Sequence, residues 1–341
     1  MGVKLSELVE KKDLDWDSLF GKVLAIDSSN MLFQFLSSIR QKDGTQLMDS
    51  QGRVTSHLIG ISSRIPNLMS KGIKPCFVFD GKAPDLKFKE REKRNEVKEK
   101  AQIKLAQAQE EDDEESVLKY SKMTTRLDKD MINESKKLLE AFGLPVIQSP
   151  SEAEAQASYM CKKKNVWAVA SSDYDCLLFK APRMIINLTL SQKRKTSSGG
   201  TKIINPQLIE LSEVLNKLQI DHKQLLILGI LVGTDFNPGG VKGIGPKKAL
   251  KLIQTDKKFN LIFDELETDF DWKEILDTFE NMPTTDDYNL KFKEPDIDKI
   301  KELLVEEHDF SETRVESTIE KFTENPRKDK AQTGLDQWVK S

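Results

Sequence analysis

The sequence has few cysteines, no long apolar run and no strong charge bias, and each absence excludes a class of protein. Its three cysteines, Cys76, Cys161 and Cys176, have no paired metal-ligand spacing, so we interpret them as core thiols in a reducing compartment. We find no stretch apolar enough to span a membrane and no signal-peptide core at the N-terminus. The net charge is only −3, so attraction to nucleic acid has to come from local basic patches. With 341 residues, 38% of them hydrophobic, the chain is long enough for a large core in one or two domains.

Acidic residues follow three short apolar runs that we predict to be buried strands. The runs and their acids are 23–26 with Asp27, 76–79 with Asp80, and 166–170 with Asp173 and Asp175. Helical patterns separate the runs, which predicts a parallel sheet with a ligand site at its carboxyl edge. Asp235 follows the helical stretch at residues 225–233. A single Asp after a strand is usually a turn or a helix cap, but three such strands favour a shared acidic site.

A pair of glutamates opens the helix predicted after the apolar run at residues 144–147. Glu152 and Glu154 are two positions apart, so both face one site only where the backbone is still turning into the helix. The alternative is a capping box, in which Ser151 and Glu154 bond to free amides at the helix start. Together with the aspartates the pair gives seven carboxylates, which repel one another in one cavity unless cations are present. Hard divalent ions such as Mg²⁺ suit these oxygen donors, and pairs of such ions serve phosphodiester hydrolysis.

Residues 81–130 differ in composition from the rest of the chain. From Asp85 to Gln109 the pattern is helical, charged and almost without large apolar residues. Four basic residues fall on one face of this helix: Lys87, Arg91, Arg94 and Lys98. The face is either solvated, with ion pairs to interleaved glutamates, or it grips phosphates beside Asp80. Because the segment cannot pack a core of its own, we expect it to be mobile without substrate.

The second half of the chain has one stretch with a clear chemical pattern, at residues 241–249. It contains, in order, Gly243, Gly245, Pro246, Lys247 and Lys248. Glycines followed by a proline at a helix start predict a phosphate-binding turn that contacts duplex DNA without reading bases. Before this stretch, residues 191–201 are expected to form a hairpin connection and residues 205–206 to open a helix.

The last residues form a polar tail with apolar anchors. Leu335 and Trp338 are three positions apart, so one 3₁₀ turn places them on the same side, beside Val339. Such anchors on a disordered tail indicate a segment that folds into a partner's groove. The alternative is a tail that docks on its own domain.

Seven stretches of the chain resemble the flap endonucleases of the structure-specific 5′ nuclease superfamily, over nearly the whole length. They are AIDSSNMLFQFL, TSHLIG, GIKPCFVFDGKAP, PSEAEAQA, SSDYDCLLF, LVGTDF and GIGPKKAL. The end of the chain directly after the tail motif resembles the archaeal form. The resemblance implies a PIN-like α/β fold, with a central, mostly parallel sheet flanked by helices. It also implies a nuclease domain at residues 1–322, with a helical arch over the active site at about 82–130 and a helix–two-turn–helix DNA-binding element at about 225–255. Residues 323–341 would be a flexible tail.

The resemblance also implies roles for individual residues. The seven acids would be catalytic and would hold two divalent ions: Asp80, Glu152 and Glu154 with Asp27 nearby for one, and Asp173, Asp175 and Asp235 for the other. Lys87 and Arg94 would also be catalytic, projecting from the arch onto the scissile phosphate, and Phe33 would stack on a base near the cut. The DNA contacts would be Gly2, Phe33, Lys87, Arg94, Glu152, Gly233, Asp235, Gly243, Gly245, Lys247 and Lys248. A sliding clamp would bind Gln332, Leu335, Trp338 and Val339, the last two in place of the usual aromatic pair.

The implied activity is a 5′-flap endonuclease and 5′–3′ exonuclease that cuts DNA at single-strand/duplex junctions, in Okazaki fragment maturation and base excision repair. It implies two Mg²⁺ ions, Mn²⁺ as a substitute, K⁺ at the helix–two-turn–helix element, and a monomer that binds branched DNA and a sliding clamp but no membrane. The expected location is the cytoplasm, on the nucleoid, in an archaeon, or the nucleus in a eukaryote. Residues 1–6 also fit an N-myristoylation pattern, which the implied role of Gly2 disfavours. The alternative function is a catalytically silent, clamp-tethered DNA-junction-binding protein, against which the presence of all seven acids argues.

Overall fold

The computed structural model describes residues 3–41, 43–111, 113–189, 193–195, 201–255 and 258–323. In these residues a central sheet has seven strands in the order β1-β9-β6-β5-β2-β3-β4, and β7 and β8 form a separate hairpin. The strands are β1 (Lys12–Asp13), β2 (Val23–Asp27), β3 (Lys74–Phe79), β4 (Val146–Gln148), β5 (Ala168–Ala170), β6 (Arg183–Ile186), β7 (Lys193–Lys195), β8 (Thr201–Ile203) and β9 (Gln207–Glu210). The five strands from β2 to β6 pair in parallel, whereas β9 and β1 add an antiparallel edge. The predicted mostly parallel α/β sheet is confirmed.

Helices cover both faces of the sheet. They are α1 (Ser28–Ser38), α2 (Ser56–Met69), α3 (Phe88–Glu110), α4 (Glu114–Met123), α5 (Lys129–Ala141), α6 (Ala153–Lys162), α7 (Asp175–Leu178), α8 (Leu211–Leu218), α9 (His222–Val232), α10 (Pro246–Thr255), α11 (Phe259–Glu265), α12 (Trp272–Glu280), α13 (Ile297–Lys301) and α14 (Glu312–Thr323). One hydrophobic cluster joins a face of the sheet to α1, α2, α5, α13 and α14, and a second joins the other face to α6–α12.

The two clusters arise because alternate side chains of each buried strand point to opposite faces of the sheet. In β2, Leu24 and Ile26 belong to the cluster with α1 and α2, and Ala25 belongs to the cluster with α6. Successive side chains of a strand point to opposite faces, so a strand buried on both faces has to be apolar throughout. On α1, Phe35 is buried and Phe33 is 41% exposed, as expected from their spacing.

The charged segment after β3 forms two packed helices. A 3₁₀ turn at Asp85–Lys87 leads into α3, which packs against α4 after a break at the acidic run. After α3 and α4, the chain returns to the sheet through α5 and β4. This two-helix segment therefore begins and ends beside the carboxyl edge of the sheet, where the acids lie.

The prediction that a helix begins at residues 205–206 was wrong. Gln207–Glu210 pairs with β6 as strand β9, and the helix begins only at Leu211. Leu208 and Ile209 are buried on opposite faces of the sheet, so tertiary pairing outweighed the local helix signal. A hairpin is present where one was expected, since β7 pairs antiparallel with β8, but Lys193–Lys195 is a strand within the stretch expected to be the connection. The residues between the two strands lie outside the described ones. In the part of the chain that is described, no helix is both long and apolar enough to cross a membrane.

Candidate active site

The sheet brings the predicted acids to its carboxyl edge. Asp27 is the last residue of β2, Asp80 follows β3, and Asp173 and Asp175 follow β5. The glutamates come from the start of α6, and Asp235 follows α9. All seven are at this edge because parallel strands end on the same side, where the next helices begin.

Three of the carboxylates form a tight group. One oxygen from each of Asp80, Glu152 and Glu154 lies within 4.8 Å of the others. Asp80 is held in place because it accepts hydrogen bonds from the Ser29 hydroxyl and, at 2.8 Å, from the Ala153 amide. The resemblance implied that these three acids hold one ion together, and the structure brings their carboxylates close to one another.

The alternative capping-box interpretation of Ser151 and Glu154 was wrong. The residue that precedes α6 is Glu152, whose side chain makes no cap bond, and Ser151 donates instead to the carbonyl of Lys82 at 2.9 Å. Because its cap bond is absent, the Glu152 carboxylate is directed to the acidic group rather than to the helix backbone.

The other acids are held by separate donors. Asp27 accepts hydrogen bonds from the Ser171 hydroxyl at 3.0 Å and from the backbone N–H of Asn30 at 3.1 Å. Asp173 accepts from the Asp175 amide at 3.1 Å, and Asp175 accepts from the Val3 amide at 2.9 Å. The trio of Asp173, Asp175 and Asp235 does not converge as tightly as the first trio among the described residues, although their charges interact.

Burial shifts the protonation of this site. Burial, followed by the charges of Asp80 and Asp173, raises the pKa of Asp27 to about 7. Burial and then neighbouring acids also raise the pKa of Glu154 and of Asp175 well above the ordinary range. Carboxylates that repel one another in a buried place favour protonation, unless cations compensate their charge.

Two basic side chains of the segment after β3 reach into the acids. The Lys87 ammonium bonds to Glu152 and lies 3.3 Å from Asp235. The Arg94 guanidinium lies 2.9 Å from Asp235 and also bonds to Glu90. Burial disfavours the charge on Lys87, but the surrounding carboxylates outweigh burial and raise its pKa. Lys87 and Arg94 thus reach the acids, and Arg94 also makes an ion pair with an interleaved glutamate, as the alternative interpretation expected, so the grip on phosphate stays a prediction. Lys98 lies over the Phe33 ring, and the side chain of Arg91 is not among those described.

This donor set fits hard divalent cations. It consists of carboxylate oxygens, three of them close enough to share one ion. Burial raises the pKa of Glu152 and of Glu154, so positive charge nearby favours their ionised forms. Among the described side chains, Lys87 and Arg94 are the cations that pair with the seven acids, and these two charges do not balance seven carboxylates.

A cavity of about 500 Å³ opens beside the acids, between α3 and the loop after α9. Its charged lining is mainly positive: Lys4, Lys93, Arg94 and Lys98 against Glu90. Gly233, at its edge, has φ +107°, and a Cβ there would lie 2.5 Å from the Gly240 amide nitrogen. The rest of the lining is mainly apolar and includes Val97, Met123 and Val232, so the cavity combines an apolar wall with four basic side chains.

The predicted phosphate-binding turn has the expected local geometry. Pro246 begins α10, and Lys247 and Lys248 are exposed in its first turn. No atom would come within 4 Å of a Cβ added at Gly243 or Gly245, so a phosphate has room to approach this backbone. These observations agree with backbone contact to DNA.

Some predicted residues lie outside the described ones, and some site residues were missed. Gly2 and the clamp-binding set Gln332, Leu335, Trp338 and Val339 are not described. The residues that sequence reasoning missed are those that hold the acids: Val3, Ser29, Asn30 and Ser171. A hydroxyl soon after a strand is the one signal that could have identified Ser29 and Ser171, and it is weak because such residues also cap helices. Val3 and Asn30 donate through their backbone N–H groups, which leave no signal in the residue type.

Comparison with known proteins identifies the family. Models of the XPG N-terminal domain and the XPG I-region match residues 1–101 and 143–235. Flap endonuclease 1 of Thermococcus onnurineus is 49% identical over 339 residues, covering 99% of each chain, and that of Pyrococcus furiosus is 48% identical over 341 residues, covering 100% of each.

Solved structures agree. Flap endonuclease-1 from Methanococcus jannaschii matches with a TM-score of 0.76 and 41% identity, covering 94% of this chain and 98% of that one. The catalytic core of Rad2 in complex with DNA substrate shares the fold, with a TM-score of 0.67 and 22% identity over 94% of this chain and all of that one. By its full-length similarity to these relatives, the chain belongs to the flap endonuclease family.

Proposed function

We propose that this chain is a metal-dependent 5′-flap endonuclease that hydrolyses DNA phosphodiesters at single-strand/duplex junctions, with 5′–3′ exonuclease activity. The observation that carries the proposal is that seven acids lie at one edge of the sheet, three of them close enough to share one ion, with Lys87 and Arg94 paired to acids of the group. A purely structural ion-pair network would balance its charges, whereas this one leaves an excess of buried acid. Replication and repair of DNA are the processes that use such an activity.

Asp80, Glu152 and Glu154, with Asp27 nearby, would hold one divalent ion, and Asp173, Asp175 and Asp235 the other. When bound, the ions would supply a nucleophile from water and neutralise charge on the leaving oxygen. We propose Mg²⁺ as the ion, with Mn²⁺ as a substitute, because both accept carboxylate and water oxygens. The protein's own contribution is to fix the carboxylates through Ser29, Ser171 and the Val3 amide.

Lys87 and Arg94 would bind the scissile phosphate. Both now pair with acids of the site, so each is already within reach of the place where a phosphate would sit. Preorganised cations stabilise the charge that develops on a phosphate in the transition state without rearranging when the reaction occurs. The unpaired 5′ strand would pass through the basic cavity beneath α3, and Phe33, exposed beside Lys98, would stack on a base near the cut.

The remaining expectations concern partners. Gly233, Gly243, Gly245, Lys247 and Lys248 would contact duplex phosphates, with K⁺ bound at the same turn. The nuclease domain at residues 1–322 would act as a monomer, with the arch at about 82–130 and the helix–two-turn–helix element at about 225–255. The tail at residues 323–341 would bind a sliding clamp. Since the full-length relatives compared above are archaeal, we propose that the protein acts in the cytoplasm, on the nucleoid.

Cleavage of an end-labelled double-flap DNA tests the proposal, with Mg²⁺ or chelator, beside a single strand of the same sequence. Cutting that needs metal and is confined to the flap base is expected. The Asp175→Lys variant should bind the flap without cutting it. If the wild type binds but does not cut in Mg²⁺ or Mn²⁺, the chain is a junction-binding scaffold instead.

A further inference from the structure

A segment without helix or strand crosses the protein beside β4. Residues 281–296 join α12 to α13, and Tyr288 and Leu290 pack on the cluster beneath α6, whereas Phe292 packs on the cluster beneath α5. Alternate residues of the segment therefore face the protein, as in an extended chain. Stretches of this length without secondary structure are uncommon in compact domains and are usually either functional or linker segments. We call residues 281–296 the strap.

The strap follows one face of α6. The side chain of Gln156 is fully buried and makes two bonds to the backbone of Thr285: its amide donates to the carbonyl at 2.9 Å, and its oxygen accepts from the N–H at 2.8 Å. Farther along the same face, Asp286 accepts from Tyr159 at 3.0 Å and from Lys163 at 2.7 Å. Positions 156, 159 and 163 lie on one stripe of a helix, so the strap is attached along the length of α6.

The other end of the strap is attached to the chain just before β4. The Lys293 N–H donates to the Gly143 carbonyl and the Asp296 N–H to the Ala141 carbonyl, both at 2.8 Å. Gly143 has φ +75°, and a Cβ there would lie 2.1 Å from the Lys293 carbonyl oxygen, so the two backbones are in close contact. The strap is thus bonded on both sides of the unit that runs from β4 into α6.

That unit carries Glu152 and Glu154. Gln156 lies two residues after Glu154. Its backbone N–H donates to the Glu152 carbonyl at 3.2 Å, in the first turn of α6. The repulsion between the site's acids tends to move this helix start away from Asp80. The two buried hydrogen bonds between the Gln156 side chain and the Thr285 backbone resist that movement. Losing them would leave two backbone groups and a buried side-chain amide without partners.

We propose that Gln156 is a positioning residue for the divalent-ion site. By bonding to the strap, its side chain fixes the start of α6 and so the positions of Glu152 and Glu154. The inference rests on the proposed function, since it assigns Gln156 a part in holding the ion of Asp80, Glu152 and Glu154. Groups that orient metal ligands without touching the ion change metal affinity by about 10- to 100-fold when they are removed.

The Gln156→Met variant tests this inference, because methionine fills a similar volume but cannot bond to Thr285. Thermal unfolding is followed against Mg²⁺ concentration, without DNA. The half-saturating Mg²⁺ concentration should rise about tenfold. Tyr159→Phe is the matched control: it loses a bond to the strap at the surface of the same helix and should keep the wild-type concentration. Gln156→Ser, which leaves room for water to bond to Thr285, gives the same comparison if Gln156→Met does not fold.

Flap cleavage supplies a second readout. In Gln156→Met the half-saturating Mg²⁺ concentration for cleavage should rise, and the rate at saturating Mg²⁺ should stay near that of the wild type. A rate that is lower at every Mg²⁺ concentration, with an unchanged half-saturating concentration, would overturn the inference and leave Gln156 a role in folding. A wild-type chain that Mg²⁺ does not stabilise at all would instead overturn the proposed metal site itself.

Discussion

Without divalent ions, the free energy of unfolding should fall as the pH rises, because the folded site holds protons that the unfolded chain has lost. Asp27 shows the size of the effect, since its pKa rises from 3.8 to about 7 on folding. Its contribution is fully present below the unfolded pKa and is lost as the pH rises through the folded pKa. Integrating the proton difference from about pH 5 to about pH 7 gives a loss of about 2 kcal/mol for this one group. Glu154 and Asp175, whose pKa values are also raised, add to the fall.

Urea denaturation in the presence of a chelator, over a series of pH values, measures this slope. Asp27→Asn should flatten it, because asparagine keeps the size of the side chain but cannot titrate. Saturating Mg²⁺ should stabilise the wild type more at high pH than at low pH, because the ligands have to lose their protons to bind an ion. If the metal-free free energy of unfolding stayed level or rose between about pH 5 and about pH 7, the reasoning from buried carboxylates would be refuted.

Three further predictions concern DNA. Lys87→Ala should lower the cleavage rate at saturating substrate and Mg²⁺ by about 10²- to 10³-fold, and Lys98→Ala, on the same face of the arch, should lower it less; equal losses would contradict the placement of Lys87 on the phosphate. Lys248→Ala should weaken binding to every duplex-containing substrate alike and reduce the salt slope by about one, as measured by salt titration of binding; a sequence-selective loss would show that the turn reads bases. Deleting residues 332–341 should spare cleavage of a naked flap but abolish stimulation by a sliding clamp, and unchanged stimulation would place the clamp contact elsewhere.

The sequence predicted the elements that carry their own signal. Continuous apolar runs ending in Asp27 and Asp80 identified the buried strands and the edge of the sheet at which the acids meet. Asp235 was grouped with these acids although it follows a helix and not a strand, so its approach to the site depends on how α9 packs. The strand at Gln207–Glu210 was missed because pairing with β6, rather than its own composition, makes it a strand.

The residues that support the acids could not be predicted for a different reason. Gln156 bonds to the backbone of Thr285, 129 residues away, and a backbone partner leaves no trace in residue type. Ser29 is an ordinary helix-start residue and Ser171 an ordinary residue after a strand, and only the closeness of Asp80 and Asp27 gives them a role. Spacing along the chain identifies residues that share an element, whereas these contacts join elements that only the fold brings together.

The charge balance of the site explains why such supports are needed. Seven acids from five separate stretches of chain meet around Lys87 and Arg94, so the repulsion among them exceeds what the two cations offset. Protonation relieves the repulsion at low pH, and divalent ions would relieve it at the pH where the acids are ionised. In both cases the carboxylates have to stay near one another while they lack a full complement of positive charge. The neutral donors Ser29, Ser171 and the Val3 backbone N–H can hold them there, because a hydrogen bond fixes position without using up the negative charge that an ion needs. Gln156 acts on the site only indirectly, because its side chain bonds to the Thr285 backbone and not to an acid.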